Sequence, residues 1–137
     1  MTPPQAAPKV LKPFGDAAGF VDVDKHTMQS KKYANVFALG DCSNAPTSKT
    51  AAAVSSQSLV VSENLLALVN GKEMERKYDG YTSCPLVTSY KSVILAEFDY
   101  DLKPTETFFF DQGKERYSMF LMKRDIIPQI YWHMLLT

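Results

Sequence analysis

The stretch Val36–Val54, Val-Phe-Ala-Leu-Gly-Asp-Cys-Ser-Asn-Ala-Pro-Thr-Ser-Lys-Thr-Ala-Ala-Ala-Val, constrains this chain more than any other. The apolar run Val36–Leu39 has the length and make-up of a short buried strand, and it stops at Gly40-Asp41. A polar loop holding Pro46 follows, Thr47 and Ser48 offer N-caps, and a helix then opens on very small side chains. Ala51, Ala52, Ala53, Ser55 and Ser56 leave its first turns nearly bare. A bare helix N-terminus lets a bound group approach free backbone N–H groups, whose dipole favours negative charge. Asp41 stands where the strand gives out, the place at which ligands bind in open α/β sheets. The stretch reads as a cofactor cradle. An ordinary strand–loop–helix corner with a capping Asp accounts for the same residues.

The chain, at 137 residues, is long enough for one domain with a real core, and 45% hydrophobic against 22% charged residues argues against wholesale disorder. Lys plus Arg equals Asp plus Glu, 15 against 15, which argues against a nucleic-acid footprint. Two cysteines, Cys42 and Cys84, are too few and too far apart for a secreted disulfide framework or a zinc site. With two His residues, the six Met suit core filling better than metal chemistry, and no metal site is expected. The start, Met1-Thr-Pro-Pro-Gln-Ala-Ala-Pro, resembles neither a signal peptide nor a transit peptide. There is no apolar stretch of roughly 18 residues to cross a bilayer, and no GxGxxG.

Residues 1–19 read as linker and loop, punctuated by four prolines, Gly15 and Gly19. Phe20-Val-Asp-Val-Asp alternates as a half-buried strand, residues 25–32 turn back polar, and Val36–Leu39 is the second strand. The helix should reach about Asn70-Gly71, with Val54, Val61, Leu65 and Leu68 as its packed stripe. Lys72–Lys77 is a solvated charge run. Beyond it, Tyr78–Tyr81, Leu86–Thr88, Ser92–Tyr100 and Thr105–Phe110 predict two or three antiparallel strands, with Asp101–Pro104 as a turn. Asp111 can cap a helix over 114–124, and Pro128 suits the first turn of a last helix. That helix, Ile126–Leu136, has little polar face but covers only ~18 Å, well short of a bilayer core. Its Trp and Tyr suit a membrane interface, and its apolar residues suit a core-packed terminal helix as well.

Cys84 is the chemical candidate. It stands in Tyr81-Thr-Ser-Cys-Pro-Leu86, and Pro85 holds it extended. A loop thiol is reactive if its pKa is lowered, and otherwise a half-buried bystander. Cys42 is a poorer candidate beside the Asp41 carboxylate. Lys49 could set a cation against whatever Asp41 holds, or be solvated surface. No Ser lies in a G-x-S-x-G elbow and neither His26 nor His133 suggests a triad, so hydrolase chemistry has no support.

Five segments together carry a resemblance: Phe20-Val-Asp-Val-Asp, Asn35-Val-Phe-Ala-Leu-Gly-Asp-Cys, Pro46-Thr-Ser-Lys-Thr-Ala-Ala-Ala-Val, Lys77-Tyr-Asp-Gly-Tyr-Thr-Ser-Cys-Pro-Leu-Val-Thr and Ile94-Leu-Ala-Glu-Phe-Asp-Tyr. In order and spacing they closely resemble the C-terminal part of mitochondrial-type sulfide:quinone oxidoreductases, which are two-dinucleotide-binding-domain flavoproteins. The Gly-Asp element alone is shared by many flavoproteins; joined to Tyr-Thr-Ser-Cys-Pro-Leu it becomes specific. The resemblance implies an α/β chain, the C-terminal fragment of a two-Rossmann-domain FAD-dependent protein, with a small α+β quinone and membrane domain. Residues 1–19 would be the end of the second nucleotide-like domain and a linker, 20–71 the last part of the FAD-binding domain, and 72–137 the truncated C-terminal domain.

The same resemblance implies roles. Gly40 and Asp41 would face the FAD ribityl chain, Lys49 and Thr50 would lie near the flavin, and Cys84 would be one of two redox cysteines. Hydrogen sulfide would be oxidised through a cysteine persulfide, the sulfane sulfur passing to a small thiol or sulfite. Two electrons would pass through FAD to ubiquinone, entering near Phe108–Phe110 and the Ile126–Leu136 helix at the membrane surface. The implied location is the mitochondrial inner membrane. Type II NADH:quinone oxidoreductases and flavocytochrome-type sulfide dehydrogenases share the Gly-Asp element and are the neighbouring alternatives. A non-catalytic membrane- or protein-binding fragment is the alternative from another class. The family's FAD fingerprint and second redox cysteine do not occur in this sequence, so the chain is expected to be a fragment or a truncated gene product, inactive alone.

Overall fold

Thr50 starts the longest element as an N-cap should: its backbone is extended (φ −109°, ψ 157°) and its hydroxyl accepts the Ala53 N–H at 3.1 Å. This is seen in a computed structural model that describes residues 8–136; the Thr2-Pro3-Pro4 segment lies outside them. Helix α1 (Ala51–Val69) ends where Gly71 turns left-handed at φ +66°, and Lys72 donates back to the Ala67 carbonyl at 2.8 Å.

The face that α1 buries differs from the expected stripe. Ala53, Gln57, Val60 and Asn64 are buried, whereas Leu65 and Leu66 are largely exposed and Val54, Val61 and Leu68 are half-buried. The reason is what lies beneath. α1 rests on irregular loops whose backbone groups need partners, and two amides supply them. Gln57 Oε1 accepts the Gly40 N–H at 2.8 Å, and Asn64 Nδ2 donates to the carbonyls of Arg76 (2.9 Å) and Thr27 (3.3 Å).

The expected strands at Phe20–Asp24 and Val36–Leu39 are corrected to isolated bridges. Val21 pairs with Gly15 and Ser43, Val23 with Ser30, and Phe37 with Gln29. Tight turns and side chains take the hydrogen bonds a ladder would need. Asn44 Oδ1 accepts the Val23 N–H, and Asp24 Oδ1 accepts those of His26 and Thr27. The alternation still decides burial, with Val21 and Val23 inside and Asp22 and Asp24 partly out.

The one sheet among the described residues is a hairpin, β1 (Thr82–Ser89) against β2 (Ser92–Phe98), with Ser83 opposite Glu97 and Cys84 opposite Ala96. Among the described residues no doubly wound sheet forms; their architecture is a small mixture of helices and one hairpin. Thr105–Phe110 is not a third strand. Its place on β2 is set instead by Glu97, whose Oε2 accepts from Thr107 N–H (3.2 Å), Thr107 Oγ1 (2.6 Å) and Gln112 Nε2 (2.9 Å). The other oxygen, Oε1, accepts from the Tyr81 hydroxyl at 2.7 Å. Asp111 does not cap a helix but accepts the Gly113 N–H and pairs with Lys114. Helix α2 (Tyr117–Leu121) begins after an extended Arg116, and the arm continues as a π-helical turn Met122–Ile126, α3 (Ile127–Ile130) and a second π-helical turn Tyr131–Leu135. Pro128 sits in the first turn of α3 as expected.

Two apolar clusters result. One gathers Val21, Val23, Met28, Ala38, Ala45, Val60 and Tyr78 under α1, and the other joins Val93 and Leu95 of β2 to Met119 of α2. Tyr78 and Tyr100 lock the first cluster to the hairpin edge-to-face, 5.5 Å between ring centres. Gly80, at φ +93°, permits this: a Cβ there would stand 2.5 Å from the Tyr100 ring.

Gly80→Ala should therefore destabilise the chain by about 2–4 kcal/mol, combining left-handed strain with overpacking. Thermal unfolding reads this, and an unchanged midpoint would mean Tyr100 is not seated on Gly80. A second expectation concerns Glu97. Burial alone would raise its pKa, but the bonds from Thr107, Gln112 and Tyr81 outweigh burial and hold it below the ordinary 4.5. Stability from this group is thus complete above 4.5 and is lost as pH falls through the lower folded value. Urea titrations across that range should show a shallower acid loss for Glu97→Gln than for the unaltered chain, measured relative to each protein's own neutral value.

Candidate functional site

The cradle is built on the 3₁₀ turn Gly40–Cys42. Gly40 is buried at φ +67°, and a Cβ there would stand 3.0 Å from Val54 Cγ2, so a side chain would strain the turn and press on α1. Asp41 next to it is exposed, and its carboxylate has no hydrogen-bond or ion-pair partner among the described residues. Cys42 is exposed, with its thiol directed at the Leu39 carbonyl, 3.3 Å away.

Lys49 folds back on this turn. Its ammonium donates to the carbonyls of Ser43 (2.6 Å) and Gly40 (3.4 Å) and lies 5.3 Å from the centre of the Phe20 ring. In this arrangement Lys49 braces the loop that presents Asp41. Thr50 is likewise occupied as the N-cap. The N–H groups of Ala51 and Ala52, with no intrahelical acceptor possible in the first turn, are what the helix end offers to a ligand.

Cys84 is tied to this corner through β1. The Thr50 and Thr82 hydroxyls are 2.9 Å apart, Thr82 also reaches the Ser48 carbonyl, and Thr47 Oγ1 donates to the Gly80 carbonyl at 3.1 Å. Side chains alternate along a strand, so Cys84 leaves β1 on the same face as Thr82, about 7 Å further on. The thiol is free and exposed rather than half-buried. Pro85 takes its place in the two-stranded sheet opposite Leu95, and its carbonyl accepts from Lys123 Nζ at 2.6 Å, joining the helical arm to the cysteine's strand.

The structure thus brings four sequence candidates, Gly40, Asp41, Lys49 and Thr50, into one corner and sets Cys84 along the strand docked to it. Such an arrangement can receive a ligand at the helix end and place a nucleophilic sulfur beside it. Four supporting residues escaped the sequence reading: Gln57, Tyr81, Glu97 and Lys123. Of these, Glu97 left a signal, a lone acid in the apolar middle of Ser92–Phe98, and Gln57 a weaker one, an amide in the run of small residues. Among the described residues no cluster of His, Cys, Asp and Glu could hold a metal ion.

No protein-family model matches the chain. Curated relatives do. The mitochondrial sulfide:quinone oxidoreductase of Mus musculus is 59% identical over 138 aligned positions, 99% of this chain and 31% of that protein. Its counterparts in Dictyostelium discoideum and Schizosaccharomyces pombe are each 50% identical, covering 96% and 88% of this chain and 30% and 27% of their own lengths. Among solved structures, a chain in the cryo-EM F1Fo composite tetramer of the Tetrahymena thermophila mitochondrial ATP synthase superposes with a TM-score of 0.85 at 24% identity. It covers 93% of this chain and 32% of that one, a likeness of fold alone. The chain spans about 30% of the length of the curated relatives it matches, and nearly all of it corresponds to the C-terminal part of these mitochondrial sulfide:quinone oxidoreductases.

Proposed function

We propose that this chain supplies one wall of the flavin site and one redox cysteine of a sulfide:quinone oxidoreductase located at the mitochondrial inner membrane. The observation that carries this reading is the Thr50–Thr82 hydroxyl pair, which docks the strand of an exposed Cys84 on the bare start of α1. FAD fits the corner in three respects. The Gly40 turn leaves the corner without a side chain, the Asp41 carboxylate is unengaged and can accept from ribityl hydroxyls, and Ala51–Ala53 keep the helix end open. FAD when bound supplies the two-electron relay between sulfide and ubiquinone.

The chain's own contributions follow from its geometry. The α1 N-terminus favours negative charge on whatever faces it, and Lys49 keeps the presenting loop closed. Cys84 gives one sulfur of a disulfide whose other cysteine lies outside this chain. Hydrogen sulfide opens that bond, leaving a persulfide on one sulfur and a thiolate on the other. The sulfane sulfur then moves to a small thiol or sulfite, and the two thiols left behind re-form the disulfide as they give up the electron pair that ubiquinone finally accepts. Phe108–Phe110 and the arm beyond Ile126 form the ubiquinone side. Exposed Ile126, Tyr131, Trp132, Met134 and Leu136 suit a membrane surface there. In this reading 20–71 completes the FAD-binding domain and 72–137 forms the quinone and membrane domain.

The test is a chimera in which this chain replaces the matching part of the mouse relative. Sulfide should bleach its flavin absorbance and drive ubiquinone reduction. Cys84→Ser should lower that turnover by about 10³-fold or more, as removal of a nucleophile does; retained turnover would remove Cys84 from the mechanism. Asp41→Ala should lower flavin occupancy after gel filtration. The 137-residue chain alone should purify colourless, and stoichiometric flavin in it would show that the adenine-binding half is dispensable.

A further inference from the structure

Glu97 is 6% exposed, carries a full set of hydrogen bonds and faces no cation at salt-bridge distance among the described residues. All its partners are neutral, and they come from two directions. Tyr81, on the approach to β1, donates to one oxygen; Thr107 and Gln112, from the two ends of the next loop, donate to the other. Gln112 then closes that loop on itself by accepting the Phe108 N–H at 2.9 Å, and its own N–H is taken by Glu106. Between these ties Phe110 is anchored beneath the Arg116 guanidinium, 4.7 Å from its ring centre, while Phe109 stands 99% exposed.

An exposed aromatic on a loop fastened this thoroughly is held out, not left out. A loop stitched by one buried anion has few alternative seats, because any shift strands a desolvated carboxylate. We propose that Glu97 is a positioning residue. It seats the 105–112 loop, with Phe108–Phe110, on the hairpin that carries Cys84, and so fixes the distance between the sulfur chemistry and the electron acceptor. The inference rests on the reading above that Phe108–Phe110 belongs to the quinone side.

Two variants and two readouts test it. Glu97→Gln keeps the shape but turns one acceptor into a donor, so Thr107, Gln112 or Tyr81 must lose its partner. Thr107→Val removes one donor from the loop and leaves the buried charge in place. In the 137-residue chain, both should speed amide exchange at Thr107, Phe108 and Gln112 while sparing the Val93–Arg116 pair, whose mutual backbone bonds lie outside the loop. In the chimera, Thr107→Val should raise the ubiquinone KM about tenfold, the low end of what one hydrogen bond to a charged group is worth, and Glu97→Gln by at least as much, since it weakens every bond the carboxylate accepts. The rate at which sulfide bleaches the flavin should stay within about twofold.

Exchange that rises equally at Val93 would show that Glu97 only supports the core, and would overturn the proposal. So would an unchanged KM with a slowed sulfide step. If the unaltered chimera shows no sulfide bleaching at all, the functional reading fails. The seating role of Glu97 then stands or falls on the exchange pattern alone.

Discussion

The hydrogen bond from the Gly40 N–H to Gln57 Oε1, 2.8 Å long and fully buried, is what the cradle depends on. Gly40 is buried, so its N–H has no water to turn to and needs an acceptor inside the protein. A leucine at position 57 would suit an amphipathic helix better, but it would leave that N–H without a partner at about 1–3 kcal/mol. The amide thus fixes which face of α1 is inward. Once Gln57 is inward, Ala53, Val60 and Asn64 follow at helical spacing, and the ridge of Leu59, Leu65, Leu66 and Val69 is turned to the outside.

A second polar centre governs the other half of the molecule in the same way. Glu97 does for the hairpin and its loop what Gln57 does for the 40–42 turn, by gathering neutral donors from segments far apart in sequence. Neutral donors suit a buried anion, because a cationic partner would have to be desolvated as well. Between the two centres runs a line of hydroxyl and ring contacts: Thr47 to Gly80, Thr50 to Thr82, Tyr78 to Tyr100. No single bond in that line is strong, yet together they leave β1 little freedom relative to α1. Cys84 inherits its position from this.

The sequence reading succeeded where chemistry is local and failed where it is not. The left-handed stop at Gly71, the turn around Asp101–Pro104 and the solvated run at 72–77 depend on residues within a few positions of each other. All three were legible, but the N-cap, expected at Thr47 or Ser48, falls at Thr50. The strands at 20–24 and 36–39 were inferred from alternation and length, and these set which side chains are buried without deciding where backbone groups bond. At 20–24 the Asn44 side chain captured the Val23 N–H, and at 36–39 the Val36 carbonyl and Ala38 N–H went to Ser30 and Met28 of the preceding loop. The expected strand at 105–110 failed for a related reason, since a side chain of β2 claimed the Thr107 N–H that a neighbouring strand would have used. As for the site, Gly40, Asp41, Lys49, Thr50 and Cys84 could be listed from the sequence. What remained out of reach was that Lys49 faces backwards onto its own loop, and that a buried glutamate stands across the hairpin from Ser83.

The helical arm shows how a local rule and a global need combine. Pro128 removes one backbone donor and its ring crowds the carbonyl four residues earlier, which costs an uninterrupted α-helix about 3 kcal/mol. The arm widens into a π-helical turn over Met122–Ile126 immediately before that proline, so the misfit is taken up by winding and the chain direction is kept. The same wide turn carries Lys123, whose ammonium reaches the Pro85 carbonyl. Along the arm Ile126, Ile130, Trp132 and Met134 stay exposed. In the reading proposed above, this exposed apolar face suits a membrane surface, while the Lys123 tether keeps the base of the arm on the cysteine's strand.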